Sequence, residues 1–333
     1  MDGRREPRVV VVTGASAGVG RATAVAFAKA DCDVGLIARA SERLDDAAEE
    51  IESMGRRAVA VPADVADAGA VERAASAIED ALGPIEVWVN NAMVSVFAPV
   101  TEIEPADFRR VTDVTYLGYV YGTMAALDRM KPRNMGSIIQ VGSALAYRGI
   151  PLQSAYCGAK HAIQGFTESV RCELIHDRSD VRISMVQLPA LNTPQFDWVK
   201  TTLEKHPQPV SPVYQPEVAA KAIVWVADNY RRELSVAPTT SAAIVGDKLV
   251  SGLLDRYLGL TGYDSQQSDR PMEPERKDNL WESVPTNLAA HGEFDDISHE
   301  QTLVWHWTTN KRWALPALAA GLLLARKLGR PSQ

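Results

Sequence analysis

Val9-Val10-Val11-Val12-Thr13-Gly14-Ala15-Ser16-Ala17-Gly18-Val19-Gly20 is the stretch on which the fold turns. Four β-branched residues in a row suit a strand buried on both faces. Three glycines follow at once. Their missing side chains permit a tight turn, close approach of the backbone to a diphosphate, and close packing of the next helix. That helix begins with unpaired N–H groups and a partial positive charge, both suited to phosphate. The stretch therefore reads as strand, dinucleotide-binding turn and helix. Arg4, Arg5 and Arg8 precede it, but the apolar run Val9–Val12 is too short for a secretory signal.

Working outward, short β-branched runs recur at Val34–Ala38, Ala58–Pro62, Val87–Asn90, Ser137–Val141 and Arg182–Leu188, with a seventh at Leu234–Ala237. Helical stretches lie between them, among them Gly20–Ala30, Ser41–Met54, Ala68–Leu82 and Ala155–His176. This alternation predicts an α/β fold, a doubly wound parallel sheet of Rossmann type in one domain, with a C-terminal extension. We place the domain at residues 1–260, closed by a helix over Ala243–Leu260, and the extension at 261–333.

The bulk numbers agree. A chain of 333 residues, 46% hydrophobic, can bury a large core. A net charge of −7 argues against a nucleic-acid partner. Cys32, Cys157 and Cys172 are odd in number and lack CxxC spacing, which suits a reduced, cytoplasmic protein without disulfides. No histidine spacing suggests a metal.

The second chemical signal is Ser154-Ala155-Tyr156-Cys157-Gly158-Ala159-Lys160, with Ser143 thirteen residues before the tyrosine. On a helix Tyr156 and Lys160 share a face, one turn apart. A phenol's pKa near 10 is too high for a base at neutral pH, and a neighbouring ammonium should lower it. Tyr156 could then exchange a proton with a carbonyl or alcohol oxygen that Ser143 helps to hold. At the cofactor end the second strand closes on Arg39, where an acid would be expected for a free ribose diol. An arginine there suits a 2′-phosphate, so NADP(H) is expected rather than NAD(H).

These residues together resemble the short-chain dehydrogenase/reductase family over about residues 8 to 240. The resemblance implies a dinucleotide site built from Gly14, Ser16, Gly18, Val19 and Gly20, with Asp64 and Val65 beside the adenine. It assigns Asn91 and Ala92 of the Asn90-Asn91-Ala92 motif to the cofactor, and Pro189 and Thr193 to the nicotinamide. Ser143, Tyr156 and Lys160 fall on the family's catalytic positions, and Lys160 would also hold the nicotinamide ribose. Where the family usually has an asparagine supporting a water-linked proton relay, this chain has Thr115, whose hydroxyl could hold the water instead. Met93 and Ala190 replace glycines common in the family and should reshape the pocket. The resemblance also implies a homodimer or homotetramer through helices near Ala106–Met130 and Ala155–His176.

The expected activity is interconversion of a carbonyl compound and a secondary alcohol. Thr115 and Met93 leave a second reading open: a nucleotide-binding regulatory or scaffold protein on the same fold. Leu191 through Tyr214 should form a substrate lid whose aromatics, with Phe97, Leu145 and Tyr147, line an apolar cavity. Asp264–Glu300 carries ten acids against three bases and is expected to be a surface excursion or partly disordered. Beyond it, Trp313–Ala325 is a thirteen-residue apolar run with Pro316 inside and basic residues on both sides. It is too short to span a bilayer. A helix docked on the domain or a partner subunit is the preferred reading; peripheral membrane association through residues 305–330 is the alternative.

Overall fold

The β-branched runs become seven strands: β1 (Val9–Thr13), β2 (Asp33–Ala38), β3 (Ala58–Pro62), β4 (Ile85–Asn90), β5 (Ser137–Ser143), β6 (Arg182–Leu188) and β7 (Glu233–Ser235). A computed structural model describes residues 7–39, 41–285 and 289–302. Within it the strands pair in parallel in the order β7-β6-β5-β4-β1-β2-β3. The helices are α1 (Gly18–Lys29), α2 (Ser41–Ser53), α3 (Ala68–Leu82), α4 (Pro105–Thr112), α5 (Gly118–Met130), α6 (Ser154–His176), α7 (Gln195–Trp198), α8 (Pro216–Asp228) and α9 (Pro238–Thr261).

Both faces of the sheet are buried, which is why the strands carry no polar alternation. On one face Val10, Val12, Leu36 and Val186 pack with Phe27 of α1 and Ile223 of α8. On the other, Val9, Val11 and Ile138 pack with Ile78 of α3, Ala126 of α5 and Leu174 of α6. The chain doubles back between β1 and β4. In an open α/β sheet that reversal leaves a crevice at the carboxyl ends of the strands, where ligands bind.

The continuous helix expected near Ala106–Met130 is split by a π-helical turn over Asp113–Leu117. Expected as a surface excursion or partly disordered, the polar segment after residue 264 runs over the surface with its described residues packed against the domain. Gln267–Pro271 pairs antiparallel with Lys205–Pro207, and Ser298–His299 pairs in parallel with Val213–Tyr214. Leu280 is fully buried in the core beneath α4. Phe294 packs on Phe196 at 5.7 Å between ring centres, so backbone hydrogen bonds and apolar contacts hold what composition alone would leave free. Trp305, Trp307 and the run Trp313–Ala325, with the association expected of them, lie outside the described residues. Among the described residues no helix is long and apolar enough to cross a membrane.

The glycine turn has no slack. Gly14 has φ +68°, and a Cβ there would stand 2.8 Å from Ala92 Cα. A Cβ on Gly20 would overlap the Gly14 carbonyl oxygen and press on Asn91 Nδ2. Both clashes are with groups that cannot swing aside. Gly20→Ala is therefore expected to cost at least about 1–3 kcal/mol, as overpacking of a tight core does. Thermal unfolding of the variant beside the wild type checks it; an unchanged melting temperature would contradict this packing.

Candidate active site

Thr13, the last residue of β1, is where the site is tied together. Its hydroxyl accepts from the backbone N–H groups of Asn91 (2.9 Å) and Ala92 (3.1 Å). Asn91 Nδ2 donates back to the Thr13 carbonyl at 2.9 Å. The glycine turn and the end of β4 thus form one unit on the rim of the crevice. Asn90 faces inward instead, donating to Gln140 Oε1 (2.9 Å) and Thr123 Oγ1 (3.1 Å) and accepting from Trp88 Nε1 (2.8 Å). It holds the floor.

Two cavities adjoin above this rim. One, of about 180 Å³, is lined by Gly14, Ser16, Gly18, Arg39, Asp64, Val65 and Ala92, among others. The second, of about 340 Å³, contains Ser143, Tyr156, Lys160, Pro189 and Ala190 in its lining. Val19, Asn91, Met93, Thr193 and Gln195 border both, so together they make a continuous trough across the strand ends. Except for Thr115 and Gly20, the sequence-derived site residues line this trough. Gly20 sits behind it, against Gly14. The trough suits an elongated dinucleotide: a glycine turn and helix N-terminus at its middle, Arg39 at one end, a tyrosine–lysine pair at the other.

Three expectations change at the side-chain level. Thr115 donates its only hydroxyl proton to the Val94 carbonyl (2.8 Å) and accepts from the Val94 N–H (3.0 Å). It braces the segment after β4 and does not join the catalytic group. Lys160, 2% exposed, instead donates to Tyr119 Oη (3.0 Å) and to the Val141 carbonyl (2.7 Å). Tyr119 is the residue that sequence reasoning missed. It lies one helical turn beyond Thr115 and passes its own proton to the Val141 carbonyl at 3.0 Å. Tyr147, expected in the apolar wall, turns away and donates to Glu233 Oε1. Phe97 and Leu145 do line the cavity, joined by Phe196 of α7, whose ring meets Phe97 edge-on at 6.0 Å.

The electrostatics also differ from the simple expectation. Burial pushes the Tyr156 phenol above its ordinary value, against the opposing effect of its Ser143 hydrogen bond. Burial likewise lowers Lys160 to about 7. The enclosed site disfavours the charged form of both groups.

Arg39 stands where expected, at the end of β2, but its donors are engaged. It donates to the backbone carbonyls of Asn279 (2.5 Å), Leu280 (3.2 Å) and Trp281 (3.0 Å). Asp64 in turn accepts from Arg110 at 2.5 Å.

The lowered Lys160 value has a consequence for stability. An unfolded lysine titrates near 10.4 and the folded one near 7. Between those values the unfolded chain binds the extra proton, so this residue's contribution rises with pH across the window. Relative to Lys160→Met, the wild type should gain stability from pH 7 to pH 10. Urea unfolding of both proteins at the two pH values measures it, and a constant difference would refute the burial argument.

The family described as short chain dehydrogenase matches residues 8–203 of this chain. An uncharacterised oxidoreductase of Bacillus subtilis (strain 168), YxnA, is 34% identical over 278 residues, 83% of this chain and 78% of that one. A 3-dehydrosphinganine reductase of Danio rerio is 32% identical over 223 residues, 65% of this chain and 67% of that protein. Among solved structures, an alcohol dehydrogenase from the archaeon Thermococcus sibiricus, complexed with 5-hydroxy-NADP, superposes with a TM-score of 0.60. It is 26% identical and covers 69% of this chain and 95% of its own. With its glycine turn, doubly wound sheet and Ser–Tyr–Lys grouping in one trough, the chain belongs to the short-chain dehydrogenase family, the NAD(P)-binding oxidoreductases.

Proposed function

We propose that this protein is an NADP(H)-dependent oxidoreductase that interconverts an apolar carbonyl compound and its secondary alcohol, with Tyr156 as the acid/base. The observation that carries the reading is the single trough linking Arg39 and the glycine turn to Ser143, Tyr156 and Lys160. A nicotinamide cofactor held in the trough would supply hydride chemistry that the protein's own side chains lack.

The chain's own residues handle the oxygen. Ser143 Oγ, which accepts from the Leu145 N–H at 3.1 Å, retains its proton as a donor toward the substrate oxygen. Tyr156 gives its phenolic proton to that oxygen as charge develops, and recovers it in the reverse direction. Lys160, when protonated, favours the phenolate so formed and lies 5.5 Å from the Tyr156 ring. Its ammonium needs acceptors while buried, and Tyr119 and the Val141 carbonyl provide them.

Preference for NADP(H) rests on Arg39 and Arg43 both bordering the adenosine end, with the nearby acid Asp64 already committed to Arg110. An apolar substrate is supported by the lining, which includes Phe97, Leu145, Ile150, Leu188, Leu191 and Phe196. The relative named for a long-chain keto base is consistent with a lipophilic ketone. Assembly as a homodimer or homotetramer remains the family expectation.

Tyr156→Phe is expected to bind NADPH like the wild type while turnover falls by about 10²–10⁴-fold, the usual contribution of a positioned acid/base. NADPH fluorescence titration and turnover of apolar ketones by both proteins test it. Full activity in the variant would end the assignment of Tyr156. Tight NADPH binding without turnover by the wild type would favour a regulatory nucleotide-binding role.

A further inference from the structure

The C-terminal extension crosses the cofactor cavity, a placement to which the catalytic chemistry gives no role. Of its described stretches beyond the family match at residue 203, 279–285 lies along this cavity and 289–295 meets the glycine turn through Ala289. Asn279 and Ser283 line the cavity directly. Arg39 holds the carbonyls of residues 279, 280 and 281, and Arg43 donates to the Val284 carbonyl at 2.5 Å. The Gly18 N–H, at the start of α1, donates to the Ala289 carbonyl at 2.9 Å.

The anchors of this strap are specific. Leu280 is buried in the core, and its carbonyl accepts from Arg110 Nε at 3.0 Å. Trp281 Nε1 donates to Asp107 Oδ1 at 2.9 Å, and the Arg110 guanidinium lies 5.4 Å from the Trp281 ring centre. Farther on, Asn192 Oδ1 accepts from the Gly292 and Phe294 N–H groups at 3.1 and 3.0 Å.

A backbone carbonyl at Gly18 presents the same acceptor chemistry as a phosphate oxygen. Three carbonyls on Arg39 do the same for a 2′-phosphate. Resting on the assignment of the trough to a dinucleotide, we propose that the extension is a built-in occupant of that site. Its carbonyls take the donors at Gly18 and Arg39, and the cofactor enters only as they yield. Strap opening precedes binding, so it limits association at high cofactor concentration.

Stopped-flow mixing of the full-length protein with NADPH, and separately with NADH, tests this through tryptophan quenching. The observed rate should rise and then level off with concentration, at one plateau common to both nucleotides. Trp281 is 53% exposed, so Trp281→Ala should fold while losing the tie to Asp107 and the stacking on Arg110. Loss of a hydrogen bond to a charged group predicts a plateau raised about tenfold. Trp281→Phe, which keeps the stacking, should fall between. Rates linear in concentration, or plateaus unmoved in both variants, would overturn the proposal. So would slower binding by Trp281→Ala, since the strap would then hold cofactor in place of competing with it. If neither nucleotide binds, the dinucleotide reading itself fails, a different result from binding without a plateau.

Discussion

The hydrogen bonds between Thr13 and Asn91 are the constraint on which the rest depends. A parallel sheet that reverses its winding between β1 and β4 leaves a gap at their carboxyl ends, and this pairing sets its width. The glycine turn departs from Thr13 in one direction. The segment bearing Met93 and Val94 departs from Asn91 in the other, and Thr115 fixes it through Val94. The cofactor cavity and the catalytic cavity adjoin because both borrow this rim. A slip of one residue in either strand would separate the glycine turn from Tyr156.

Burial then decides the chemistry. Lys160 lies among apolar groups with two neutral oxygen acceptors, so its charge is costly and its pKa falls to about 7. The same enclosure raises the Tyr156 phenol. A positively charged nicotinamide would favour the phenolate of Tyr156 against this effect of burial.

The fold and much of the site were legible in the sequence for physical reasons. Unbroken Val and Ile runs are diagnostic of strands covered on both faces, and glycines that admit no Cβ leave a fixed signature. Helical spacing put Tyr156 and Lys160 on one face, and both border one cavity with Ser143. Other features were not readable. Thr115 could be placed on its helix, but the direction of one hydroxyl depends on Val94, 21 residues away. Nothing in the sequence singled out Tyr119, whose phenol meets a lysine 41 positions on. For the polar segment after 264 the sequence left a surface excursion and partial disorder open, because what ties it down is backbone pairing with Lys205–Pro207 and Val213–Tyr214 and the apolar contacts of Leu280 and Phe294. Composition does not register any of these. Arg39 was located correctly, yet its present partners are carbonyls 240 to 242 residues away.

The central claim is that one trough brings a nicotinamide and an apolar carbonyl together beside Tyr156. Its most direct test is isotope transfer: the wild-type protein is incubated with NADPH deuterated at C4 and a panel of apolar ketones, and product alcohols are examined by mass spectrometry. The account predicts an alcohol carrying one deuterium on its carbinol carbon, formed about 10²–10⁴-fold more slowly when Tyr156→Phe replaces the wild type. Bound NADPH that delivers no label to any ketone would contradict it.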